Sequence, residues 1–148
     1  MCAAAVLTGG FKLIRHAGEL KFYNNFLLRW EDAMSHLSVS DSTLPEFNGT
    51  NHVRYMDKLV RLMQNSNIQV PVSNTDRAYV YQVPGAGISS RQDIFILCFE
   101  KKIVLFGLSK RMFNMLDKRI DHQLGRTNGK FTGRKQEHTA VHTGIWRL

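Results

Sequence analysis

With 148 residues, 43% of them hydrophobic and nine of them Phe, the chain has the length and composition of one folded domain, not of a disordered segment. Its formal charge of +8 lies wholly beyond residue 100: residues 1–100 hold nine Lys/Arg and nine Asp/Glu, residues 101–148 eleven against three. Two cysteines argue against a disulfide framework, no apolar run nears the ~20 residues of a membrane span, and the apolar start lacks the preceding cations of a secretory signal. No membrane partner is expected, and a reducing compartment, cytoplasmic or nuclear, is.

Residues 1–10 read as a flexible N-terminus and 11–125 as a single α+β domain. Phe11–His16 follows a Gly pair and is expected to be a short leading strand. From Gly18 to Leu37 the residues Leu20, Tyr23, Leu27, Trp30, Met34 and Leu37 recur at spacings of 3 and 4, which predicts an amphipathic helix. The polar stretch Ser38–Thr50, with its Pro and Gly, is a linker. Asn51 is the expected cap of a second helix reaching Asn65, with Val53, Met56, Val60 and Met63 on one face.

Arg77–Val83 has the β-branched and aromatic content of a strand. The apolar runs on either side of Glu100-Lys101 predict a hairpin near residues 93–108 in a small, mainly antiparallel sheet. A third, basic amphipathic helix is expected between a Ser109 cap and a Gly125 stop, burying Met112, Met115/Leu116, Ile120 and Leu124. Residues 126–148 read as a basic C-terminal arm with glycine hinges.

The charge asymmetry calls for an anionic partner. Lys101 and Lys102 at the hairpin turn, Lys110, Arg111, Lys118 and Arg119 on the helix, and Arg126, Lys130, Arg134 and Lys135 in the arm are candidate phosphate contacts, with Phe131 placed to stack on a base. No zinc-finger spacing, RNP aromatic signature or KH-type loop accompanies them, so the expected binding is not sequence-specific. RNA is set ahead of DNA because many small α+β modules bind RNA.

A second expectation is a structural or adaptor protein, viral-like or part of an assembly. It would self-associate or bind a protein partner through the first helix stripe and Trp146, its charge binding an acidic protein, with Trp146 crossing to a neighbouring subunit as a homo-oligomer.

A third is a small metal-independent ribonuclease. His122, His138 or His142 would move the proton and Arg126 or Lys130 would stabilise the phosphate. The order of helices and strands followed by "KIVLFGLSKR" resembles that of small RelE-like ribosome-dependent RNases over about half the chain, although the loop before the second helix and the long tail depart from them. That resemblance implies RNA cleavage.

Neither a metal nor a cofactor is expected. His138 and His142 lack co-ligands in a CxxC or HExxH context, "PGAGISS" lacks the Lys-Ser/Thr of a P-loop, and Cys98 sits among Ile96, Leu97 and Phe99 as a packed thiol. No catalytic residue is assigned.

Overall fold

The computed structural model of the protein describes residues 2–40, 43–87, 89–121, 129–135 and 139–148, with side chains from Gly9 onward, Lys135 excepted. It is an α+β protein. Helix α1 (Cys2–Phe22) runs through a π-helical turn (Tyr23–Leu27) into α2 (Leu28–Val39), and α3 is His52–Asn65. Then come strands β1 (Val80–Pro84), β2 (Arg91–Phe99) and β3 (Lys102–Ser109), helix α4 (Lys110–Asp121), and strands β4 (Phe131–Lys135) and β5 (Val141–Arg147). The strands form one sheet in the order β1-β2-β3-β5-β4, every neighbouring pair antiparallel.

The expected strand at Phe11–His16 is instead the middle of α1, which begins at Cys2, inside the stretch expected to be a flexible terminus. Packing decides this. Glu19 and Phe22 are buried, with Phe11, Arg15 and Gly18 half-buried on the same side, a helical spacing of 3 and 4. Gly18 lies against the Pro84 ring, and a Cβ there would come within 2.7 Å of Pro84 Cδ, so α1 crosses β1 where a side chain is missing. The predicted stripe over Gly18–Leu37 is present, but Tyr23–Leu27 winds with one extra residue per turn.

Phe22, Phe26, Leu27, Trp30 and Leu37 are all at most 2% exposed. Phe22 and Phe26 meet the Tyr81 ring of β1 at 5.4 and 4.7 Å between centroids. Most of the stripe therefore fills this protein's own core, while Leu20 and Tyr23 at its N-terminal end are half-buried.

Asn51 begins α3, but its side chain faces backward. Its Oδ1 accepts from Asn48 N at 3.1 Å and its Nδ2 donates to Glu46 O, tying the linker to the helix start. Met56 of α3 accepts a hydrogen bond from Cys98 N through its Sδ at 3.4 Å, at the level where β1 no longer flanks β2.

The hairpin forms as expected, with Phe99 opposite Lys102. Glu100 takes a left-handed φ of 49° in the turn, where glycine or asparagine is the usual choice. Gly107, at φ 88°, marks the β-bulge between Leu105 and Leu108; a Cβ there would collide with Asp93 O.

Residues 126–148 are not an arm over their described part, because two strands of them complete the sheet. Alternation is the reason: Phe131 (0% exposed) and Trp146 (5%) pair across β4 and β5 on one face, with Ile103 next in line. Trp146 thus docks in its own sheet, not in a neighbouring subunit. The glycines here permit close approach: a Cβ at Gly133 would strike the Phe113 ring, and one at Gly129 the Asp121 carboxylate. That carboxylate caps the start of β4, accepting Lys130 N at 2.7 Å and Phe131 N at 3.0 Å.

Candidate nucleic-acid interface

The sheet divides the cationic residues between its two sides. α4 lies on the face that carries Phe131, Gly133 and His142, since Phe113 stacks on the Phe131 and His142 rings at 5.1 and 5.5 Å. Lys110, Arg111, Lys118 and Arg119 project from that helix. In the opposite phase of the strands are Lys102 of β3, Arg147 of β5 and Arg134 of β4, with Val104, Phe106, Thr132, Thr143 and Ile145 among them. Lys102 stands directly opposite Arg147, and Arg134 opposite Thr143.

On the α4 side Arg111 has a fixed partner. Its Nε lies 3.0 Å from both oxygens of Glu19, which is 2% exposed; Arg15 Nε is 3.4 Å from the same carboxylate and His16 Nδ1 4.0 Å. This clasp joins α1 to α4. The Ser109 cap holds as expected, its Oγ accepting Met112 N at 3.2 Å.

Lys118 and Arg119, a turn or two further along, are exposed and form no ion pair with a described residue. With His16, Tyr23 and Met115 they line a cleft of about 420 Å³ between the π turn and α4. Arg119 Cζ sits 5.6 Å from the centre of the Tyr23 ring. Burial pushes the Tyr23 phenol above its usual range and Glu31 adds to this, while Arg119 opposes it. The phenol is therefore neutral at physiological pH.

On the strand side Lys102 is less free. Its amine is 2.8 Å from Glu100 and 5.5 Å over the Phe99 ring. Lys101, Lys130 and Arg134 are exposed without an ion-pair partner among the described residues. Lys101 O accepts Leu148 N at 2.9 Å, which brings the chain end to the hairpin turn. Arg147, which sequence reasoning did not single out, is exposed beside Lys102 and donates from Nη1 to Gly129 O at 3.3 Å. Alternation with Trp146 was the signal that could have found it. His16 and Tyr23 were missed because they lie in α1 and the π turn, outside the basic third.

Phe131 is fully buried against Phe113, so the expected stacking of a base on it is ruled out. For Lys135 only the backbone is described, opposite His142. Arg126, His122 and His138 lie outside the described residues. His142 is half-buried and opposite Lys135 at one end of β4, whereas Lys130 lies beside Arg147 before the other end of that strand, so these two do not converge on one phosphate. Among the described residues no three His, Cys, Asp or Glu side chains gather as metal ligands, and no helix is long and apolar enough to cross a membrane.

No protein-family model matches the chain, and neither a curated protein nor a solved structure matches it.

Proposed function

We propose that this protein binds nucleic acid, RNA ahead of DNA, by phosphate contacts that do not read sequence. The observation that carries the reading is the imbalance of the last third, eleven Lys/Arg against three acids, within which Lys101, Lys110, Lys118, Arg119, Lys130, Arg134 and Arg147 are exposed and form no ion pair with a described residue. Unpaired surface cations neutralise phosphates and release condensed counterions. On the face opposite α4 the β4–β5 end of the sheet bears cations and threonines and suits a single strand, the usual form in which RNA is recognised, whereas the middle of that face is covered by α3, whose His52 ring meets Phe106 at 5.7 Å. A cytoplasmic or nuclear partner fits a free thiol: Cys98 is buried without a disulfide, and burial raises its pKa.

Binding of a labelled single-stranded RNA should weaken steeply between 50 and 200 mM salt. Reversing Lys118, Arg119, Arg134 and Arg147 to Glu should abolish it. Salt-independent binding, or unchanged affinity in the reversed variant, rejects the reading.

A second reading has one observation in its favour. Leu13 and Ile14 of α1 are 72% and 64% exposed, adjacent apolar side chains on a long helix. They suit a protein partner or a second copy, in place of the buried stripe and Trp146. A Leu13→Ser/Ile14→Ser variant with unchanged mass in light scattering rejects self-association through them.

A further inference from the structure

We infer that the cleft lined by His16, Tyr23, Met115, Lys118 and Arg119 is a subsite for one phosphorylated nucleotide, its base on the Tyr23 ring and its phosphate on Lys118 and Arg119. This deepens the nucleic-acid reading and rests on it. Three features single the cleft out.

The first is its size, about 420 Å³, within the range of small-ligand sites. The second is its charge. The neighbouring Arg111 and Arg15 share the buried Glu19 carboxylate, whereas Lys118 and Arg119 form no ion pair with a described acid, and His16 adds a further donor on the α1 side. The third is its wall. The π turn inserts one extra residue into the helix and opens it beside Tyr23, a distortion that concentrates at functional sites.

Arg119 Cζ lies over the Tyr23 ring at 5.6 Å, too close to admit a base between them. Arg119 is exposed and turns outward onto the phosphate as the base takes its place. Base–aromatic stacking is stronger than the exposed cation–π contact that it replaces. Met115 packs against the edge of the base. A free nucleoside monophosphate and a nucleotide within a strand present the same chemistry, and the experiment separates them.

Titrations should use adenosine monophosphate and a single-stranded RNA hexamer, each against wild-type protein, Tyr23→Leu, Tyr23→Phe and Lys118→Gln/Arg119→Gln. Both ligands should bind the wild type. Tyr23→Leu should weaken each about tenfold without altering the salt slope, and Tyr23→Phe should restore binding. Lys118→Gln/Arg119→Gln should reduce the slope for the hexamer by about 0.7, one phosphate contact's worth.

These two cations are exposed, so that variant keeps the test valid should Tyr23→Leu unfold. Hexamer binding that is indifferent to Lys118→Gln/Arg119→Gln and, in folded protein, to Tyr23→Leu overturns the cleft and leaves the general reading intact. Cleft-dependent binding of the monophosphate without the hexamer keeps the cleft and overturns the nucleic-acid reading. Binding of neither overturns both.

Discussion

The two halves of the basic third differ in how their cations relate to the core. In α4, a cation and the core share a surface: Arg111 reaches across to Glu19 and holds α1, while Lys118 and Arg119 on the same helix stay free. In β4 and β5 the two roles alternate residue by residue, with Phe131 and Trp146 inward and Arg134 and Arg147 outward. Counting charges treats all of these cations alike. Geometry separates one that holds the fold from those left for a ligand.

The largest effect tests whether the C-terminal strands belong to the core. Trp146→Ala removes a side chain that is 5% exposed between Ile103 and Phe131. It should cost about 3–5 kcal/mol in a urea titration, the range for truncating a buried aromatic. A separate arm would lose less than about 0.5 kcal/mol, as surface changes do. That outcome would dissolve the contrast between the two halves.

A smaller effect sharpens the α4 side. Arg111→Met leaves Glu19 buried with Arg15 at 3.4 Å as its nearest strong partner. Breaking a fully buried pair costs ~3–5 kcal/mol. The Arg111 side chain is 43% exposed, so solvent screening lowers the expectation to about 2 kcal/mol. Adding Glu19→Gln should recover part of the loss, because the stranded charge is then gone. If both single changes are neutral and no coupling appears, the clasp contributes nothing and Arg111 joins the free cations.

Which parts of this were legible in the sequence follows from the range of the forces involved. The stripe from Leu20 to Leu37, the hairpin about Glu100-Lys101 and the Ser109 cap each depend on neighbours a few residues apart, and periodicity or capping chemistry exposes them. The π turn does not alter which residues are apolar, so the 3-and-4 pattern passes over it. Phe11–His16 is helical because α1 packs across β1 at Gly18 and clasps α4 through Glu19, contacts made with residues far along the chain.

The C-terminal strands were hidden for the same reason. Phe131 and Trp146 are 15 positions apart among polar residues, and only pairing with β3 makes their alternation a buried face. The basic residues were visible, but the division of the cations between two sheet faces requires the topology. Arg147 and the Tyr23 cleft follow from it too.

The smallest expected effect asks how one strand of RNA meets both halves. Lys118→Gln and Arg134→Gln should each leave stability within about 0.5 kcal/mol, since neither cation pairs with a described acid. Each should lower the salt slope of binding by about 0.7 if it contacts a phosphate. The two sit on opposite faces of a sheet whose edge on that side is β4, with α4 packed over it. A strand touching both must pass around that edge. With an RNA of about 4 nucleotides only one of the two substitutions should matter, whereas with about 16, the upper end of single-strand site sizes, both should and their effects should add. If Arg134→Gln is silent at every length while Lys118→Gln is not, the strand face is not part of the path and the α4 side alone binds.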